Sequence, residues 1–94
     1  MSGGVDPGIR TAALCRALGH PARVAILRFL RSRPGGATCG EIVSQLPLAQ
    51  STISAHLRVL TGAGLLTAVA QRPRVRYRVD ADGTEELKRA IAAL

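Results

Sequence analysis

Ninety-four residues suffice for one small domain, with a core modest enough that a subunit partner would add stability. Apolar residues make up 47% of the chain, which excludes a disordered protein, and its two rings, Phe29 and Tyr77, are too few for a stacking platform for RNA or single strands. The net charge of +7 is unevenly spread: residues 42–79 hold five arginines and no acid, whereas 80–94 hold four acids against Lys88 and Arg89, so a cationic face suited to a polyanion is expected.

Residues 1–8, with three glycines and Pro7, read as a flexible arm, and 9–94 as the folded unit. The N-terminus lacks a basic stretch followed by a long apolar one, and no apolar run approaches a membrane span, so a cytoplasmic location is expected. "IRTAALCRALG" predicts a helix ending near Gly19. "PARVAILRFLRSR" predicts a second, with Pro21 in its first turn and Val24, Leu27 and Leu30 along one side. "PGG" at 34–36 breaks it. Thr38-Cys39-Gly40-Glu41 fits a capping box, opening a helix over 39–46 that Pro47 stops.

After only "PLA", a further helix is predicted over about 50–61. Two short helices joined by a tight turn form a helix-turn-helix. The inner face of the second carries Ile53, Leu57 and Leu60, and the opposite face carries Ser51, Ser54, Ala55 and Arg58. Small hydrogen-bonding side chains with one cation suit the floor of the DNA major groove, where bulky or acidic groups would clash or be repelled. Gln50, Ser51, Thr52, Ser54, Ala55, His56 and Arg58 are the candidate contacts. Arg58 could read guanine, Gln50 adenine, and Ala55 could meet a thymine methyl. His56 is equally readable as a phosphate contact or a packed structural residue.

Gly62 or Gly64 caps this helix. "LLTAVAQ" and "RVRYRV" read as two strands with Arg72-Pro73 at the tip. Alternation places Arg74, Arg76 and Arg78 on one face, with Arg72 near the tip, and Val75, Tyr77 and Val79 on the other. Guanidiniums in a row suit phosphates, whose oxygens match their planar fork. The alternative is a solvated edge strand guarded by charge. "DGTEELKRAIAAL" reads as a closing helix, capped by Asp82 or Thr84 and lined by Leu87, Ile91 and Leu94.

The order helix, helix, helix-turn-helix, basic hairpin, helix resembles the ArsR/SmtB winged-helix transcriptional repressors of bacteria over roughly residues 11–94. "LGHPARVAILRFL" resembles the family's L-x-D-P-T-R-x-x-I-L-x-x-L segment, with His20 for Asp and Ala22 for Thr. "LAQSTISAHLRVLTGAGLL" resembles its recognition segment, with Ala49 for a capping Ser and Ala55 for a long polar residue. The wing tip carries Arg72-Pro73 where the family has Gly. The resemblance implies a mainly α fold with a small β-hairpin, about five helices and a two-stranded wing. It also implies a homodimer, built from the first and last helices, that binds double-stranded DNA at an inverted repeat without enzymatic activity. An inducer would release the DNA.

The resemblance does not supply that inducer. The family's C-x-C positions hold Thr38 and Gly40, with Cys39 between them, and its D-x-H with a distant H-x-x-E finds no His after His56. Neither metal site is present, and no cofactor is expected. Free Cys15 and Cys39 are expected as small buried hydrophobes in a reducing compartment. The sharper alternative is a thiol or As(III) sensor, with Cys39 activated in the first turn of its helix. A protein-interaction module using the same basic face is a further alternative. His20, before Pro21, is expected to cap or turn.

Overall fold

A computed structural model describes residues 7–94. Five helices and three strands follow in the order α1 (Pro7–Leu18), α2 (Pro21–Arg31), β1 (Ala37–Thr38), α3 (Cys39–Val43), α4 (Gln50–Gly62), β2 (Leu66–Gln71), β3 (Arg74–Val79) and α5 (Ala81–Ala92). Residues 1–6 of the expected arm lie outside the described residues. Pro7 and Gly8, assigned to that arm from sequence, belong to α1.

Each helix start has a chemical cause. His20, extended at the N-cap of α2, accepts from the Ala22 amide at Nδ1, and Pro21 follows it. Thr38 and Glu41 form the reciprocal capping box of α3: Glu41 N donates to Thr38 Oγ1 at 3.2 Å and Thr38 N to Glu41 Oε1 at 2.8 Å. Asp80 caps α5, accepting from the Gly83 amide, so neither Asp82 nor Thr84 is the cap. Asp80 holds the position because its Oδ2 is also fixed by the Thr67 hydroxyl at 2.9 Å. Ala49 supplies no side-chain cap to α4. A missing cap costs about 0.5–2 kcal/mol. Full burial of Ile53, Leu57 and Leu60 from the same helix contributes about 1.5–3 kcal/mol each and outweighs that loss.

Helix ends depart slightly from expectation. α2 stops at Arg31, two residues early, with Ser32 as its C-cap. α3 stops at Val43 rather than residue 46, and the amides of Gln45 and Leu46 both donate to Ile42 O as the chain turns.

The core gathers Leu14 from α1, Ile26 and Leu30 from α2, Ile42 from α3, Ile53, Leu57 and Leu60 from α4, and Leu65, Leu66 and Leu87. The expected two-stranded wing is present as the β2–β3 hairpin, and β1 joins it in a three-stranded antiparallel sheet of order β1-β3-β2. β2 and β3 pair from Leu66↔Val79 to Gln71↔Arg74, and Ala37 and Thr38 pair with Tyr77 and Arg76. The extra strand is admitted by Gly36, whose φ is +79°, and where a Cβ would run into Tyr77 O and the Arg78 side chain. The cis Arg72-Pro73 peptide lies in the turn at the tip.

Two glycines join α4 to α5. Gly64, at φ +84°, ends α4, and the buried Gly83 of α5 packs against its carbonyl. A methyl at Gly83 would strike the Gly64 backbone, which cannot rotate aside. Alanine would gain about 1 kcal/mol of helix propensity, against about 1–3 kcal/mol or more for overpacking. Gly83→Ala is therefore expected to lower the melting temperature, by roughly 4–8 °C per net kcal/mol. A melting temperature equal to or above wild type would show that the two backbones have room to part.

Candidate nucleic-acid interface

α4 presents the two faces its sequence pattern predicts. Ile53, Leu57 and Leu60 are fully or almost fully buried, while Gln50, Ser51, Thr52, Ser54, Ala55 and Arg58 are exposed. No acid lies on α4 or anywhere between residues 42 and 79. The exposed face therefore offers donors, acceptors, one methyl and one guanidinium with no negative charge among them.

His56 sits on the flank of this face, half-buried, and its Nδ1 accepts from Arg23 Nε at 3.1 Å. Its ring lies 4.5 Å from that of His20. Burial, with His20 and Arg23 beside it, holds the imidazole below its ordinary value of 6.5 and so keeps it neutral. These contacts pack His56 against the start of α2. Arg23 Nη1 also donates to the carbonyls of Arg16 and Ala17 at 3.1 Å each. One guanidinium thus closes the end of α1 and steadies α4. Nothing in the residue pattern gives Arg23 this role; its place two residues after the proline that opens α2 is the available signal.

The wing arginines share a strand face but divide their tasks. Arg72 at the tip and Arg74 are exposed. Arg76 turns back on its own subunit: Nη1 donates to Gly36 O at 3.0 Å and lies 3.7 Å from Glu41 Oε1, and Nε donates to Gln71 Oε1 at 3.1 Å. It braces β3 to β1 and α3, and its charge is partly matched at home. Glu41 is held below the usual carboxylate range, first by the Thr38 amide and also by Arg76 and Arg33. Arg74 and Arg76 border a groove with Thr38, Glu41 and Gln71. Arg78 instead borders a separate groove against α2 and α5. The continuous guanidinium row expected from alternation is therefore broken at Arg76 and turned at Arg78.

Among the described residues no three His, Cys, Asp or Glu side chains converge as a metal site. Cys15 is exposed rather than buried. Cys39 is partly buried, and burial pushes its thiol up, opposite to the activation expected from its place in a first turn. The five-residue α3 packs its first residue against the core, where a thiolate is desolvated.

A tight two-helix unit followed by a short antiparallel wing is a winged helix-turn-helix. A family model described as a helix-turn-helix domain matches residues 18–69. The biofilm growth-associated repressor of Agrobacterium fabrum is 31% identical over 83 residues, which span 88% of this chain and 69% of that one. A crystal structure of a "possible transcriptional regulator for arsenical resistance" aligns with a TM-score of 0.78 at 31% identity, over 86% of this chain and 82% of that one. The homodimeric winged helix-turn-helix DNA-binding domain Mb0332 of Mycobacterium bovis aligns with a TM-score of 0.76 at 24% identity, over 99% and 89%. The chain belongs to the ArsR/SmtB family of winged helix-turn-helix transcriptional regulators, which are DNA-binding proteins and not enzymes.

Two outcomes follow from the contacts of Arg76 and His56. Arg76→Ala removes the donor that satisfies Gly36 O and is expected to destabilise by about 1 kcal/mol, roughly 4–8 °C in melting temperature, whereas Arg74→Ala leaves it unchanged. Equal melting temperatures for the two variants would remove the brace. For His56 the folded imidazole takes a proton at lower pH than the unfolded one, whose value is near 6.5. Its contribution is complete above that value and is lost as pH falls through it toward the depressed folded value. Thermal melts between pH 7 and pH 5 should show declining stability, and His56→Gln, which keeps an acceptor for Arg23 without titrating, should flatten the decline. An unchanged slope in the variant would place the proton elsewhere.

Proposed function

We propose that this chain acts in the cytoplasm as a homodimeric repressor, reading an inverted-repeat operator with α4 in the major groove and the wing tip on neighbouring phosphates. The observation that carries the reading is the exposed, acid-free face of α4 formed by Gln50, Ser51, Thr52, Ser54, Ala55 and Arg58. Side chains of this size and polarity fit base edges, and phosphate contacts set the register. Arg58, Arg72 and Arg74 are the cations of this face without an acid partner among the described residues, and Arg78 turns to the separate groove at the base of the wing. Arg76, committed to Gly36 and Gln71, acts by positioning the wing.

Dimerisation is supported by the apolar side chains left outside on the first and last helices and at the C-terminus. Ile9 is 68% exposed, Ile91 47% and Leu94 92%. The salt bridge of Arg10 to Glu86, at 2.9 Å, ties the two helices together beside them. A similar fold occurs as a homodimer in the Mycobacterium bovis protein. Two-fold symmetry would pair two recognition helices on half-sites one or two helical turns apart.

Selection of bound duplexes from a random pool tests the reading directly. Enrichment of inverted repeats with that spacing is expected; a pool that stays random would end it. Three cations per protomer neutralise about six phosphates per dimer, so log K should fall with log salt at a slope of about −5. A slope shallower than about −3 would take the wing out of the interface. Arg74→Ala should weaken all sequences alike, while Ser54→Ala and Arg58→Ala should change base preference; identical profiles for all three would overturn the division of roles.

A further inference from the structure

A groove of about 640 Å³ opens between α2, the base of β3 and the first turns of α5. That volume lies within the range of small-molecule sites, about 300–1,000 Å³. No residue of α4 lines it, so it is not part of the face described above. Its floor is aliphatic, with Val24, Leu27, Leu30 and Val79 among the lining residues. Besides Arg33, just past α2, its rim carries Arg28 and Arg31 from α2, Arg78 from β3 and Lys88 from α5. None of these four cations has an acid partner among the described residues. Of the two acids at the rim, Asp80 is engaged at both oxygens, by the Thr67 hydroxyl and the Gly83 amide.

Apolar floor and cationic rim impose different demands on an occupant. A nucleic acid phosphate could satisfy the rim but has nothing to lay on the floor. An uncharged apolar molecule would fill the floor and leave four guanidinium and ammonium groups unmatched. We infer that this groove binds a small amphiphilic carboxylate, its apolar body on Leu27 and Val79 and its head among Arg28, Arg78 and Lys88. Arg matches a carboxylate through two parallel N–H donors, and Arg78 carries the contact to the base of the wing. The inference goes beyond the DNA-binding reading and does not depend on it.

Titration of the isotopically labelled full chain, followed by amide NMR shifts, tests the site with octanoate and decanoate against acetate and decanol. Decanoate is expected to give saturable shifts at Leu27, Val79 and Lys88, and each buried methylene to tighten binding by about fourfold, so that decanoate exceeds octanoate. Acetate and decanol should bind far more weakly. Arg28→Gln with Lys88→Gln, both exposed positions, should weaken decanoate by roughly fivefold, as two partly solvated charges allow. Absence of saturable shifts with decanoate would overturn the inference. So would equal affinity for decanol, decanoate binding unchanged in the double variant, or shifts centred on Ile9, Ile91 and Leu94.

Discussion

The structure depends on the burial of one side of α4. Ile53, Leu57 and Leu60 enter a core built from every other helix, and a helix anchored along one stripe must turn the opposite stripe to solvent. The anchorage is strong enough to tolerate an uncapped start at Ala49. Arg23 adds direction to it. By bonding the carbonyl end of α1 and the ring of His56 at once, it ties α4 to the end of α1. The exposed face of α4 is thus set from behind, by residues that lie outside it.

Charge is distributed so that attraction and architecture use different arginines. The stretch without acids keeps the exposed side of α4 and the wing tip free of repulsion toward a polyanion. Arg76, in the middle of the same strand, is instead held by a carbonyl, an amide and Glu41. A guanidinium so held keeps the strand in place at little entropic cost, because its planar donors are already arrayed. Period-two alternation says which side of a strand a residue takes; it does not say what waits on that side.

Much of this was legible in the residues. The capping box at Thr38 and Glu41, the helix start at Pro21, the two faces of α4 and the hairpin with Arg72-Pro73 at its tip all follow from local chemistry that acts over a few positions. The features missed are those made by distant partners. β1 is two residues long, and only the approach of Tyr77 to Gly36 makes it a strand. Asp80 is preferred over Asp82 as a cap because Thr67, thirteen residues earlier, holds its other oxygen. The raised Cys39 thiol reflects burial against the core, a tertiary fact that position in a helix does not reveal. Arg78 faces the α2–α5 groove because the base of the sheet lies over those helices.

The meeting of Gly83 with the Gly64 carbonyl has a mechanical consequence. Two main chains in direct apposition contain no side chain that could change rotamer and absorb a displacement. The amide of Asp80, just before α5, also donates to Leu65 O, and the amide of Leu65 donates to Leu60 O in the last turn of α4. A shift of the final helix is therefore passed to the end of α4 as a nearly rigid movement, like the two arms of a crank.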